Sequence, residues 1–241
     1  MPSFTKLLLL LPVAIGASAC AAIGQDPMVA FPKNYRLALD NDVVAVIRIH
    51  YGPHERIGVH DHSKFPTIYV YLSDSGSVRF EHDEQPAFKL TRPPTSIGAF
   101  RVSPGRVERH AVTNLGDTGS DFLRVELKQI PLQSGLQPFR GKAPTSPLHS
   151  SRAIEYRSSQ VDVQRIICEA GTLCNLDPSG SPSLLIAFSP LKIMENDAAD
   201  QGGLMREGDV KWVRGSNAVS LVPASNAPVH LLSITVKTQP K

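Results

Sequence analysis

The sequence contains few cysteines, few aromatic residues and no long apolar run. Its 241 residues include only 3 Cys, too few for a small scaffold held together by disulfides. The longest apolar run, residues 7–15, is well below the roughly 18–20 residues that cross a bilayer. Lys and Arg number 25 against 22 Asp and Glu, for a net charge of +3. With no Lys/Arg cluster between aromatics, no nucleic-acid partner is expected.

Proline and glycine, in contrast, are plentiful and spread along the chain, with 20 and 17 residues. Hydrophobic residues make up 41% and charged residues 20%, an ordinary globular composition. No stretch of adequate length shows helical periodicity, and short apolar segments separated by turn residues predict strands. The sequence therefore predicts an all-β protein.

The first 22 residues have the pattern of a secretory signal peptide. Lys6 precedes the apolar run, and Ala17-Ser18-Ala19 fits the small-x-small cleavage rule. Export to the periplasm or out of the cell is expected. Cleavage after Ala19 would leave Cys20 first, which resembles a bacterial lipoprotein signal; plain export without a lipid tether is the alternative.

The two remaining cysteines, Cys168 and Cys174, lie in the segment IICEAGTLC with a glycine between them. Because export places the chain in an oxidising compartment, we expect a disulfide between them. A metal-bound pair is the alternative, but no histidine is near in sequence.

The predicted strands fall into two groups that resemble each other. Residues 131–152, rich in Pro, Gly and Ser, separate the groups and are predicted to be a linker. VIRIHYGPHERI matches VQRIICEAGTLC in pattern, aligning Arg48 with Arg165, and Pro66 aligns with Pro182. This predicts a duplicated β-barrel. The predicted strands are 43–51, 56–62, 66–72, 77–82, 87–90, 98–103, 109–114 and 121–128, then 161–168, 183–188, 210–214, 218–222 and 229–237.

Three histidines of the first group are candidate metal ligands. His60 and His62 are one residue apart at the end of a predicted strand, so their side chains share a face. In residues 98–114, a strand leads to the turn Ser103-Pro104-Gly105, and a second strand returns with His110. Two imidazoles on one face with a third after a tight turn favour a metal site.

These segments resemble the two motifs of the cupin superfamily. The first motif there has His-x-His, then a Glu four or five residues later, then a glycine; the second has a glycine, a Pro-x-Gly turn, a His and an Asn. The resemblance covers residues 43–128 well and 161–237 weakly. The matching residues are His60, His62 and Gly76 in the first motif, and Gly98, Pro104, Gly105, His110 and Asn114 in the second.

The resemblance implies a duplicated, jelly-roll-like β-barrel, or bicupin. The domains expected are a cupin domain over 35–130 that carries the histidines and a degenerate cupin-like domain over 153–241. It also implies a divalent metal, which could be Fe, Zn, Mn, Ni or Cu, held by His60, His62 and His110.

The sequence departs from the first motif at the glutamate. Pro66 and Thr67 occupy the Glu positions, which leaves either a three-His site with open coordination positions or a barrel that binds no metal. A further acidic ligand could come from Asp61, Glu81 or Glu108.

The strand that should carry the glutamate supplies candidate pocket residues. Thr67, Tyr69 and Tyr71 share its face and are expected to line the pocket, with outward-facing tyrosines as the alternative. In the strand before the Pro-Gly turn, Phe100 is expected to face the cavity rather than Arg101. Three other histidines, His50, His54 and His82, are expected to be surface residues or non-ligands.

Three functions remain open from the sequence: a metal-dependent enzyme, a binding protein for a small molecule, and a structural or partner-binding envelope protein, with or without a tether through Cys20. No nucleophile stands in a recognisable motif. Either a monomer or a homodimer fits the sequence.

Overall fold

The computed structural model describes residues 25–132, 135–172, 174–195, 203–216 and 218–237. The predicted signal peptide and Cys20 lie outside these residues and stay predictions. In the described part, no helix is long and apolar enough to cross a membrane. Its elements are almost all strands: α1 Pro27–Ala30, β1 Tyr35–Asp40, β2 Val44–Tyr51, β3 Arg56–His62, β4 Thr67–Tyr71, β5 Val78–His82, β6 Phe88–Arg92, β7 Phe100–Ser103, β8 Glu108–Asn114, β9 Ser120–Leu127, β10 Phe139–Gly141, β11 Ser151–Arg157, β12 Val161–Cys168, β13 Cys174–Leu176, β14 Ser183–Ala187, β15 Leu191–Glu195, β16 Gly203–Met205, β17 Val210–Val213, β18 Val219–Pro223 and β19 Val229–Val236.

The strands form four antiparallel sheets whose order is repeated. In the first half, a sheet of order β1-β2-β9-β4-β7-β10 accompanies a sheet of order β3-β8-β5-β6. The second half has β11-β12-β19-β14-β17 and β13-β18-β15-β16. Arg48 and Arg165 are each the fifth residue of β2 and β12, and Pro66 and Pro182 directly precede β4 and β14. The predicted all-β, duplicated jelly-roll fold is confirmed.

Three apolar cores hold these sheets together. One fills the first barrel and includes Ile49 and Phe122, and another fills the second barrel and includes Leu185. The third joins residues of both halves, such as Val125 and Ile186, so it lies between the two large sheets. The strands at the centre of the large sheets are therefore buried on both faces. This explains why their sequences are almost continuously apolar rather than alternating.

Two buried or half-buried arginines cross between the halves in the same way. Arg48 of β2 donates from Nη2 to the carbonyl of Gly208, and Arg165 of β12 donates from Nη2 to the carbonyl of Gly98, both at 2.8 Å. The two glycines precede the equivalent strands β17 and β7, and both have positive φ, 79° and 84°. The contact is thus reciprocal, and each half fixes a turn of the other.

The predicted linker, residues 131–152, differs in part from the structure. Its residues Phe139–Gly141 form β10, which pairs with β7 and extends the large sheet of the first barrel. Its last two residues, Ser151 and Arg152, begin β11 of the second half. Gly141 lies opposite Phe100, and a Cβ at this position would overlap the Phe100 ring. The glycine therefore allows the strand to pair.

The predicted disulfide between Cys168 and Cys174 is present, with their Cα atoms 6.0 Å apart. It joins the end of β12 to the start of β13. The loop that it closes has a separation of only 6 residues.

Candidate metal centre

Two neighbouring strands bring the three candidate histidines together. β3 carries His60 and His62, and β8 carries His110 directly opposite His60. Residues directly opposite in an antiparallel pair point to the same face, so all three rings enter the first barrel. One ring nitrogen from each lies within 4.8 Å of the others. The sequence prediction that these residues converge is confirmed, and the cluster fits a metal site.

The ring of His60 is oriented by two neighbours. Its Nδ1 lies 2.9 Å from the carbonyl oxygen of Gly58, to which it can only donate. This bond leaves Nε2 with a free lone pair, 3.1 Å from His62 Nε2 and 2.9 Å from the Tyr35 hydroxyl. The Tyr35 hydroxyl in turn lies 3.0 Å from that of Tyr51. The bond from Nδ1 to Gly58 is the kind of outer hydrogen bond by which metal-binding histidines are commonly held. The Tyr35 hydroxyl instead contacts Nε2, the nitrogen that an ion would bind.

His110 gives the most direct evidence that a group is meant to sit here. Both of its ring nitrogens are buried, and neither has a hydrogen-bond partner in the described residues. Buried polar atoms are nearly always paired, because an unpaired one costs about 1–3 kcal/mol. A bound cation would supply a partner for the ring nitrogen that carries the lone pair, so the residues fit a metal.

Burial also favours the protonation state that binds metals. It lowers the pKa of His110 to about 3, and the neighbouring His60 adds to the effect. The pKa of His62 is held well below its usual value, and that of His60 is lowered, chiefly by burial and in addition by the charge of Arg124. All three imidazoles are therefore neutral near pH 7, with lone pairs available.

No carboxylate joins the three histidines within the described residues. Of the three acidic candidates, Glu81 pairs with Arg56 at 2.9 Å and Asp61 with Arg109 at 3.9 Å. Glu108 is buried but binds two arginines instead. Its Oε2 accepts from Arg124 Nη1 at 2.9 Å, and its Oε1 accepts from Arg106 Nε at 3.1 Å.

Arg124 organises the polar floor beside the histidines. It is only 2% exposed, and it donates to Glu108, to Glu126 at 2.9 Å, and to the Tyr69 hydroxyl at 2.7 Å. A fourth bond reaches the carbonyl of Ser63 at 3.1 Å. Although burial raises the pKa of Glu108, the charge and hydrogen bonds of Arg124 outweigh it and hold that pKa at about 2. Glu108 is thus a fixed anion.

A cavity opens beside the cluster, and we call it the inner cavity. Two of the four predicted pocket residues, Tyr69 and Tyr71, line it. Thr67 is buried outside it, with its hydroxyl donating to the carbonyl of Phe65. Its lining includes His62, Tyr69, Tyr71, Arg101, His110 and Arg124.

Phe100 requires a correction. It packs in the core between the two halves and does not line the inner cavity, whereas Arg101, expected to point away, does. The choice was wrong because both faces of β7 are covered. The apolar side chain belongs to the larger, drier core, and the charged one faces the polar cavity.

His82, expected at the surface, also requires a correction. It is 4% exposed, its ring stacks on Phe88 at 4.3 Å, and its ring centre lies 5.0 Å from that of His110. The alternation Val78, Phe80, His82 along β5 was a usable signal, because these residues share the inward face. His50 and His54 remain exposed and pair with aspartates, as expected for non-ligands. No sequence pattern pointed to Tyr35, Tyr51 or Arg124.

The second half has no comparable group within the described residues. Its His230, on β19, lies near the Phe188 ring and accepts from Arg165 Nη1 at 2.9 Å. The histidine there completes a contact between the halves rather than a ligand set.

The sequence and the fold were compared with those of known proteins. No protein-family model and no curated protein matches the sequence. Among solved structures, AerE from Microcystis aeruginosa is similar with a TM-score of 0.60 and 11% identity, covering 85% of this chain and 98% of that one. YhaK from Escherichia coli gives 0.56 and 13%, covering 85% and 92%.

Oxalate decarboxylase from Bacillus subtilis, a protein with Mn(II) centres, gives a TM-score of 0.55 and 13% identity, covering 87% of this chain and 77% of that one. Together with the repeated strand order, these likenesses establish the class: an all-β protein with a cluster of three histidines in one barrel. More particularly, the fold is a duplicated, cupin-type two-barrel fold, as the sequence motifs indicated. At this level of identity the likeness shows the fold alone.

Proposed function

We propose that the first barrel holds a divalent metal ion on His60, His62 and His110, and that the protein binds or transforms a small molecule there. The observation that carries the proposal is His110, whose two buried ring nitrogens have no partner in the described residues. The Mn(II) centres of the structurally similar oxalate decarboxylase give independent support.

The donor set narrows the chemistry. Neutral imidazoles suit Fe, Zn, Ni or Cu, and three ligands leave coordination positions open for water or a small molecule. Mn stays a candidate through the likeness to oxalate decarboxylase. When bound, such an ion supplies Lewis acidity. The chain's own residues would then orient the site: Gly58 holds His60 through Nδ1, while Arg124 and Glu108 fix charges at the cavity wall.

A binding protein is the second candidate, and one feature of the cavity favours it. A general acid or base works best when its pKa lies near the working pH. Glu108 is held ionised with a pKa of about 2, and burial raises the pKa of Tyr69 to about 12. Neither group exchanges protons readily near neutral pH, so we assign no catalytic residue.

We further propose that residues 1–22 direct export, with a lipid tether through Cys20 as the alternative to release. The disulfide Cys168–Cys174 supports an oxidising location. The mass of the mature N-terminus, together with labelling by palmitate, would distinguish the two. A mature chain that still begins at Met1 would contradict both.

Elemental analysis tests the metal proposal. Wild-type protein purified without chelator, and again after incubation with each candidate ion, should contain about one ion per chain. His60→Ala/His62→Ala should contain little or none, and His50→Ala, which changes an exposed histidine, should match the wild type.

Because truncating two buried rings could unfold the barrel, His110→Gln should be measured beside them, with cooperative thermal unfolding as the test of folding. The proposal is wrong if the wild type takes up no ion, or if folded variants retain as much as the wild type.

A further inference from the structure

A row of cationic side chains crosses the cavity-facing side of the large sheet in the first barrel. Tyr69 of β4 lies opposite Arg124 of β9 on one side and opposite Arg101 of β7 on the other. Arg101 in turn lies opposite Arg140 of β10. Directly opposite residues share a face of the sheet, so three arginines and one tyrosine form a continuous row.

Only one end of this row is neutralised. Arg124 is paired with Glu108 and Glu126. Arg101 lies with its guanidinium 4.4 Å from the centre of the Tyr69 ring, and its buried Nε has no hydrogen-bond partner in the described residues. Within those residues, the structure gives neither Arg101 nor Arg140 a carboxylate partner. Like charges directly opposite in a sheet are destabilising, so this end of the row favours an anion.

The space around Arg101 is shaped to receive one. The inner cavity is small, with a volume of about 40 Å³. It adjoins a larger space with a volume of about 260 Å³, which we call the outer chamber. Arg101 lines both. The lining of the outer chamber includes Tyr71, Arg92, Arg101, Pro94, Arg140 and Lys142, and no Asp or Glu of the described residues.

One of these cations already has partners. Arg92 donates to Thr95 and Ser120, both at 3.0 Å, so it supports the wall. Arg101, Arg140 and Lys142 are left to face a ligand. A guanidinium presents a fork of donors that matches the oxygens of a carboxylate or phosphate, and charge-assisted bonds of this kind are the strong ones.

We propose that the ligand is a small organic oxyanion whose carboxylate or phosphate group binds in the outer chamber between Arg101 and Arg140, while its other end reaches the three histidines. The second part rests on the proposed metal site. The first part rests only on the arginine row and the chamber, so the two can fail separately.

Titration calorimetry at low salt tests the anion site. The probes are succinate, citrate and inorganic phosphate, with succinamide as the uncharged match for succinate. At least one anion should bind the wild type and succinamide should not, and the stronger of the carboxylate and phosphate probes identifies the oxyanion. Arg101→Gln and Arg140→Gln should each weaken that binding about tenfold or more, as expected for loss of a charge-assisted bond.

Arg36→Gln is the matched control, since Arg36 is exposed on β1 and lines neither space. It should leave the affinity within about twofold. The proposal is overturned if none of the anions binds at 10 mM, if succinamide binds as well as succinate, or if both folded arginine variants bind like the wild type.

Metal content separates this outcome from that of the proposed function. Arg101→Gln should retain the metal content of the wild type. Anion binding that depends on Arg101 in a protein that takes up no metal would leave the anion site standing and refute the metal site. Stoichiometric metal with no anion binding would give the reverse result.

Discussion

Replacing Arg124 by glutamine should destabilise the first barrel strongly. Arg124 is 2% exposed, and its partners Glu108 and Glu126 are 7% and 6% exposed. The substitution leaves the buried Glu126 without its counter-charge, and it leaves Glu108 with only the more exposed Arg106. Removing one partner of a buried ion pair costs about 3–5 kcal/mol, because the remaining charge is neither paired nor hydrated. We expect a loss of this size in the free energy of unfolding of Arg124→Gln at pH 7.

The loss should also depend on pH with a definite sign. The pKa of Glu108 lies at about 2 in the folded protein, below its ordinary value of 4.5. Its ionisation therefore stabilises the fold above pH 4.5, and this contribution disappears as the pH falls from about 4.5 to 2. The difference corresponds to about 3 kcal/mol. Since the variant lacks most of this contribution, its deficit relative to the wild type should shrink over the same range.

Urea unfolding at pH 7, 5 and 3 would measure the effect. Arg56→Gln serves as the control, because Arg56 is more exposed and pairs with Glu81 near the surface. Breaking this ion pair should lower the free energy of unfolding by less than about 1 kcal/mol. The double variant Glu108→Gln/Arg124→Gln should recover part of the lost free energy of unfolding, because it also removes the buried charge of Glu108. A deficit below about 1 kcal/mol at pH 7, or one that does not change with pH, would refute the reasoning.

Two further predictions concern the disulfide-closed loop and a strand at the edge of the large sheet. Cys168→Ser, which frees Cys174, should lower the free energy of unfolding by roughly 2 kcal/mol relative to the oxidised wild type, because the disulfide closes only a short loop. Urea titrations would measure this. A variant as stable as both the oxidised and the reduced wild type would contradict it. Gly141→Ala should cost about 1–3 kcal/mol by the same assay, since the new methyl group overlaps Phe100, whereas Gly203→Ala, with open space around it, should cost less than about 1 kcal/mol. Equal costs for the two alanine variants would argue against that overlap.

The central strands could be predicted because their sequences are dominated by burial. β12 begins and ends as predicted, and β2 differs by one residue. β3 also has its predicted bounds, although it is an edge strand with several exposed residues. The sequence reasoning missed β1, β10, β11, β13, β15 and β16, of which all except β15 lie at sheet edges. An edge strand pairs with one neighbour and buries few apolar side chains, so its backbone pairing defines it better than its sequence pattern does.

The candidate site divides in the same way. Ligand spacing and a Pro-Gly turn identify His60, His62 and His110, because a shared ion demands a particular geometry. The arginines do not follow from spacing. In a sheet covered on both sides, alternation cannot tell which face meets the barrel interior, and so Phe100 and Arg101 were exchanged.

The crossing arginine of the second half has a consequence for the ligand chamber of the first. Besides the carbonyl of Gly98, Arg165 Nη2 donates to the carbonyl of Lys142 at 3.1 Å. One guanidinium thus holds both the turn that precedes β7, the strand of Arg101, and the segment that follows Arg140 on β10. The half without a histidine cluster therefore helps to set the spacing of Arg101 and Arg140, and substitutions in its strands should change ligand binding in the neighbouring barrel.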